Sequence, residues 1–441
     1  MKQITLGALL CATTLTAQAQ RNAIEFTEFD LDNGLHVILH EDHSTPIVAV
    51  TVLYHVGSKD EVEGRTGFAH FFEHLLFEGT ENIGRGEYSK IVQSNGGALN
   101  ANTTQDRTFY YEILPANQLE LGLWLESERM LHANIDIDGV ETQREVVKEE
   151  KRMRIDNQPY GSFQAEMFGR VFTNHPYTWT PIGSMDDLNA AQLPEFMDFY
   201  SKFYIPNNAT LSIAGDFDPE EAREMIERFF EDIPSGEEVV HPTVQEDPLQ
   251  GPIVDTIYDN IQIPGVFVGY RMPGQTSDDA YALDMLNTVL SRGGSSILPK
   301  RMVDQEQTAI QVVSFPYTLE DYGIFITLAL ANGDNSTDVL MTSMDEEIAK
   351  LQAELIDEES FTRALNQIES TFIQSNSSMA GIAESLANYH VYYGDANLVN
   401  TEIERYRNLT REDIQRVARE YLTEDNRVVL HYLPMSMQES N

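Results

Sequence analysis

The 441-residue chain carries 29 Lys and Arg against 71 Asp and Glu, a formal charge of −42. Such a surface repels phosphates and argues against a nucleic-acid-binding role. It fits high solubility, with long-range attraction of cationic peptides as the functional counterpart. An apolar content of 41% and an aromatic content of 10% belong to a globular protein, and the length suggests two or three domains with ample core.

Residues 1–19 read as a secretory signal peptide. Lys2 gives a positive start, 4–15 a short apolar run, and Ala17-Gln18-Ala19 a small-x-small cleavage site. The run is too short to span a bilayer. The expected location is therefore periplasmic, or otherwise exported. Cys11, the only cysteine, lies inside this segment, so the mature chain is expected to have no disulfide and no thiol chemistry. The bulky Ala8-Leu9-Leu10 ahead of Cys11 speaks against a lipid anchor.

From residue 26 the pattern is β. A hairpin spans 26–39 around Asp32-Asn33-Gly34, and a Val-rich strand covers 47–56. His36, His40, His43 and His55 lie on or near these strands with no ligand spacing and read as surface or edge residues. A helix follows through Gly67-Phe68-Ala69-His70-Phe71-Phe72-Glu73-His74-Leu75 and ends near Gly79. At about 100° per residue, His70, Glu73 and His74 share one arc while Phe68, Phe71, Phe72 and Leu75 occupy the other side. Two imidazoles one turn apart with a carboxylate between them suit metal ligation; a half-buried helix with incidental histidines is the plain alternative.

A short helix from Ser89 leads through Asn95-Gly96-Gly97 to strands at 98–104 and 108–114. A helix over 117–131 follows, with Leu121, Trp124, Leu125 and Met130 expected in the core. The next helix, 139–154, has an inner stripe of Val140, Gln143, Val146, Val147, Glu150 and Met153. This stripe turns Glu150 inward and Glu149 away. An inward carboxylate must be paired or bound, and a metal or a local cation both satisfy it. Next come a loop at 175–187, a helix at 193–204, a strand at 209–214 and a helix at 219–230. The Pro- and acid-rich stretch 233–253 reads as a linker.

The second half repeats the first in outline. Strands are expected at 266–271, 309–315, 322–330 and 426–432, and helices at 278–290, 295–306, 337–356, 360–376, 379–392 and 411–421. The helix at 278–290 holds the place of the His helix but carries no ligand set. The closing helix and strand are matched to 219–230 and 209–214, in reversed order. The fold class expected is α+β: two homologous domains, 20–232 and 254–441, each a mainly antiparallel sheet packed with helices.

The motif His70-x-x-Glu73-His74, with its flanks Gly67-Phe68-Ala69 and Leu75-Leu76-Phe77-Glu78-Gly79-Thr80, resembles the pitrilysin/insulinase family of inverted-motif zinc peptidases. The short bacterial, mitochondrial-processing-peptidase-like members are the nearest in kind. The likeness continues in Asn100-Ala101-Asn102-Thr103, Tyr110-Tyr111, Arg144-Glu145-Val146-Val147-x-x-Glu150, His175-Pro176-Tyr177, Ile182-Gly183-Ser184 and Tyr204-Ile205-Pro206-Asn207-Asn208-Ala209.

The resemblance implies a clam-like endopeptidase for peptides or unfolded segments. It assigns one Zn2+ per chain to His70, His74 and Glu150, the general base to Glu73, and substrate binding to Asn100 and Ala101 on an edge strand. Two departures stand out. Gln143 occupies the position of a supporting glutamate one heptad before the third ligand. Val303 and Ile310 occupy the positions of an arginine and a tyrosine that hold substrate and stabilise the oxyanion; Arg301 is two residues out of register. The chain is thus expected to be the zinc-bearing half of a pair. Its partner would be a homologous subunit without the zinc motif that brings the Arg/Tyr pair, or a second copy in a homodimer. The alternative is a non-catalytic scaffold or assembly subunit that keeps the fold.

Overall fold

A computed structural model describes residues 23–438; the expected signal peptide and Cys11 lie outside the described residues. Two sheets organise the chain. The first contains β1 (Thr27–Asp30), β2 (His36–Glu41), β3 (Ile47–Tyr54), β4 (Ala98–Thr103), β5 (Thr108–Pro115) and β6 (Ala209–Gly215), in the order β1-β2-β6-β3-β5-β4. The second contains β7 (Ile253–Asp259), β8 (Gly265–Pro273), β9 (Ala309–Thr318), β10 (Tyr322–Ala331) and β11 (Arg427–Pro434), in the order β7-β11-β8-β10-β9. Each sheet is antiparallel apart from one parallel pair, β2 with β6 and β7 with β11. Setting β2, β6, β3, β5 and β4 against β7, β11, β8, β10 and β9 superimposes the two orders, so the expected duplication is present in the topology.

Helices cover the sheets: α1 (Phe68–Leu75), α2 (Tyr88–Ser94), α3 (Leu119–Leu131), α4 (Ile137–Lys151), α5 (Phe163–Val171), α6 (Met185–Ala190), α7 (Leu193–Phe203) and α8 (Pro219–Phe230) in the first half. The second half adds α9 (Asp278–Ser291), α10 (Thr337–Ala353), α11 (Glu358–Ser375), α12 (Met379–Tyr393), α13 (Leu398–Thr401), α14 (Ile403–Arg407) and α15 (Arg411–Tyr421). Many begin at a side chain that accepts a free backbone N–H, as Asp136 does for α4, Ser277 for α9, Asp357 for α11 and Ser378 for α12.

The halves exchange helices. From the first half, α5 packs Met167, Phe168 and Val171 against Phe267, Ile324, Val428 and Leu430 of the second sheet. In return α12 lays Ile382, Ala383 and Leu386 on Ile38, Ala49 and Ala214 of the first. Gly269 makes the first contact possible, because a Cβ there would stand 2.4 Å from Met167 Sδ. A buried ionic cluster also joins the halves. Lys59, 1% exposed, pairs with Asp106 at 3.2 Å, with Asp321 at 3.6 Å and with Glu320, which also meets His55 at 2.8 Å.

The structure revises several expectations. β7 rises out of the end of the expected linker; it is an edge strand whose outward side chains give it a polar sequence. α5 interrupts a stretch in which no helix was expected. The helix and strand that close the chain, α15 and β11, match α7 and β6 in the same order, not α8 and β6 reversed, because β6 and β11 hold equivalent sheet positions. The expected helix at 295–306 is a π-helical segment, Pro299–Gln305. On α3, Leu125 and Met130 are buried but Leu121 and Trp124 only half-buried. His40 is buried and bonded to the Glu25 carbonyl at 2.6 Å, so it is no surface residue.

Candidate metal centre

The helix α1 starts at Gly67, whose φ of 95° is open to glycine and strained for other residues. Its apolar side does what the sequence arc implies. Phe68, Phe71, Phe72 and Leu75 are buried, and Phe196 of α7 stacks on Phe68 with centroids 4.6 Å apart. Glu61, buried in the preceding loop, accepts the N–H groups of Gly67 at 2.8 Å and Ala69 at 2.9 Å. Burial pushes this carboxyl well above the usual range while those N–H groups pull it back. Glu61 was not singled out by the sequence, since its chain neighbours show no helical pattern to which a cap could be assigned.

The opposite arc of α1 meets α4. His70 Nε2 and His74 Nε2 lie 3.4 Å apart, and Glu150 Oε2 stands 3.6 Å from the first and 3.1 Å from the second. The side chains are 12%, 23% and 15% exposed, sheltered yet reachable. Burial and the neighbouring His74 hold His70 down at about 4, so its imidazole is neutral near pH 7. The hydrogen bond with His74 leads the effects that lower Glu150. Two imidazole nitrogens and a carboxylate oxygen converge here, and with both Nε2 atoms unprotonated they form a donor set that fits a divalent cation of the zinc type. Arg154, in the π-helical segment Arg152–Asp156 that continues α4, pairs with the other carboxylate oxygen of Glu150 at 2.7 Å.

The stripe on α4 is centred differently from the sequence reading. Val140, Arg144 and Val147 are buried, Gln143 and Glu150 flank them, and Val146 and Met153 are 44% and 60% exposed. The shift arises because Arg144 is buried, donating to the carbonyls of Leu188 and, at 2.8 Å, Ala191. Its charge hid it from an apolar pattern. Gln143 donates to Glu78 Oε1 at 2.5 Å, and Arg85 pairs with the other oxygen of Glu78 at 2.8 Å. The Gln143 side chain is thus tied to Glu78 at the end of the motif.

Glu73 lies beside this trio on α1. Its Oε2 accepts the hydroxyl of Thr103 at 2.7 Å. Burial raises the carboxyl and the Thr103 bond opposes that rise. Thr103 ends β4, which carries Asn100, paired with Tyr111, and Ala101, paired with Tyr110. As the last strand of its sheet, β4 offers an edge for another strand, with Asn100 exposed.

Val303 is half-buried against the second core and Ile310 is 46% exposed on β9. Arg301 is engaged by Glu306 at 2.7 Å, Glu347 at 2.8 Å and Glu346. It is committed to α10, so it does not stand in for Val303. Between α9 and β9, the counterparts of α1 and β4, lies a cavity of about 680 Å3 whose lining includes Tyr281, Asp284, Ser314, Glu402 and Tyr406. No histidine lines it among the described residues. No helix among the described residues is long and apolar enough to cross a membrane.

The chain thus has two like sheets, helices exchanged between its halves, and in the first half one helix whose paired histidines face a glutamate of another. A sequence profile for "Insulinase (Peptidase family M16)" matches residues 36–169, and one for "Peptidase M16 inactive domain" matches 190–368. The zinc protease PqqE of Helicobacter pylori is 32% identical over 436 residues, spanning 98% of this chain and 96% of its own. The chain belongs to the pitrilysin/insulinase family, M16. A probable mitochondrial-processing peptidase subunit beta of Arabidopsis thaliana is 23% identical over 402 residues, 89% of this chain and 75% of its own. The crystal structure of a protease from Helicobacter pylori matches with a TM-score of 0.89 at 31% identity, covering 94% of this chain and all (100%) of that one. The first half of the periplasmic protease PqqL from Escherichia coli shares the fold, with a TM-score of 0.76 at 19% identity over 95% of this chain and 94% of that one.

Proposed function

We propose that this chain is the zinc-bearing subunit of an endopeptidase that cuts peptides or unfolded segments. The observation that carries the reading is the convergence of His70, His74 and Glu150 beside Glu73, which Thr103 holds. His70, His74 and Glu150 would hold the zinc, which when bound would supply a Lewis acid and lower the pKa of water towards about 7. Glu73 removes the proton of the attacking water at its carboxylate and hands it to the nitrogen of the leaving amine. Its raised pKa suits both halves of that transfer. A substrate strand adds to the free edge of β4, with Asn100 and Ala101 as its partners.

Val303 and Ile310 offer no cation and no hydroxyl for the substrate chain or the oxyanion. In this reading a homologous partner supplies an arginine and a tyrosine, in a heterodimer or from a second copy. Export is part of the proposal, supported by the expected signal peptide and by the periplasmic description of PqqL. The lack of an Arg/Tyr pair at Val303 and Ile310 also favours a second reading, a non-catalytic scaffold subunit.

The discriminating experiment compares the wild-type chain with Glu73→Gln, each alone and with the partner subunit, for zinc content and cleavage of a fluorogenic peptide. The expected result is zinc in both forms, and partner-dependent cleavage by the wild type alone. Equal cleavage by both forms with the partner present excludes the enzyme reading.

A further inference from the structure

A second group of ligating side chains lies far from α1 in the sequence. On β1 and β2, Asp30 pairs with His36 and Glu28 with Ile38 across the antiparallel ladder, so all four project from one face. That face is covered by α12, and Ile38 belongs to the same apolar cluster as Ile382 and Leu386. The last turn of α12 brings His390 over His36, with ring centroids 3.4 Å apart and planes 4° from parallel.

His36 Nδ1 lies 2.7 Å from Asp30 Oδ1, a contact that calls for a proton on Nδ1, so a neutral ring keeps its lone pair on Nε2. This Nε2 is buried, has no hydrogen-bond partner and faces Glu28 Oε2 at 3.6 Å. A lone pair directed at a carboxylate is repulsive unless a proton or a metal cation stands between them. An imidazole whose far nitrogen is tied to a carboxylate is the usual support for a metal ligand. Ligand atoms of Glu28, His36 and His390 all lie within 4.8 Å of one another.

We propose that Glu28, His36 and His390 form a second divalent-metal site, of the zinc class, that staples the outer edge of the first sheet to the helix lent by the second half. Two imidazoles and one carboxylate are the donor set zinc favours, with water filling the remaining position. The stacked, parallel rings cannot both hold one ion in their planes, so His390, partly exposed on the last turn, would turn out of the stack to share it. The site is remote in role from Glu73: it holds two parts of the fold together and carries no proton. It adds a second ion to the one expected at His70, His74 and Glu150, and does not depend on that first site being catalytic.

The test uses the full mature chain carrying His70→Ala and His74→Ala, which removes the first site. After equilibration with zinc and dialysis, about one zinc per chain should remain, and zinc should raise the melting temperature. Adding His390→Gln or Glu28→Gln should abolish both the retained zinc and the thermal shift while leaving the metal-free melting temperature within a few degrees. Cobalt should give the visible d–d bands of a tetrahedral nitrogen–oxygen site, lost in the same variants. The proposal is overturned if the double-alanine chain retains no zinc, or if its zinc is insensitive to both added variants. A His36 ring found by NMR to be protonated at both nitrogens and indifferent to added zinc overturns it equally.

Discussion

Thr103 donates its hydroxyl to Glu73, Oγ1 to Oε2 at 2.7 Å, and so joins the edge strand β4 to the helix that carries both histidines. One contact couples the proposed seat of the substrate to the proposed base. Burial raises the Glu73 carboxyl and this bond lowers it. Thr103→Val removes the lowering influence, so the Glu73 pKa rises further and a larger share is protonated at a given pH. The acid limb of the kcat/KM profile should move to higher pH, with zinc content unchanged. A shift to lower pH, or none, would refute the coupling. Glu73→Gln should cost about 100-fold or more in kcat, in line with the contribution of a general base.

Val303 and Ile310 stand where a substrate clamp is expected. The double substitution Val303→Arg, Ile310→Tyr should raise cleavage by the isolated chain and reduce its dependence on a partner. Ile310 is 46% exposed and accepts the larger ring easily. Val303 is packed against the second core, so the arginine should lower the melting temperature by several degrees. Peptide cleavage followed beside a thermal melt separates the two effects; a stable, zinc-loaded double variant with no gain would argue against a missing clamp.

The ionic cluster between the halves predicts an acid limb in stability. Burial opposes ionisation of Glu320, but His55 and Lys59 hold its carboxyl down at about 2. Its folded pKa lies below the unfolded value of about 4.3. The contribution is therefore complete above that value and is lost as pH falls from about 4 to about 2. Glu320→Gln should destabilise the chain at neutral pH by about 2–3 kcal/mol, below the usual 3–5 kcal/mol for a fully buried pair because Glu320 is 24% exposed. In urea titrations the gap between wild type and variant should narrow over that acidic interval. A gap that widens there would contradict the assignment.

The helix exchange rests on close contact at Gly269. Gly269→Ala places a methyl against Met167 Sδ at 2.4 Å and Ile324 Cγ2 at 3.0 Å, which should cost about 1–3 kcal/mol. Met167→Ala leaves a cavity of its own. Combined, the two changes should be less destabilising than the sum of their separate effects, a coupling that a double-mutant cycle in chemical denaturation measures. Strict additivity would mean that α5 does not press on β8 at this point.

By itself the sequence separated the two faces of α1 and distinguished Glu150 from Glu149, although it misplaced the centre of the α4 stripe. The arcs of α1 separated the phenylalanines from His70, Glu73 and His74, and the period of α4 turned Glu150 inward and Glu149 away. The alternation of strands and helices made the duplication legible, and the motif with its flanks carried the family likeness. Periodicity fixes a direction from the helix axis, but it does not name the neighbour found there. Only the tertiary structure decided that Glu150 meets both imidazoles, that Thr103 holds Glu73, that Glu61 caps α1, and that Arg301 is spent on Glu306, Glu346 and Glu347. The same holds for His36 under His390 and for the exchange of α5 and α12, because each is a contact between segments distant in the chain, set by how amphipathic faces pack. Buried charges such as Arg144 and Lys59 were hidden for a related reason. An apolar pattern cannot flag a polar side chain whose burial depends on partners that arrive from elsewhere in the fold.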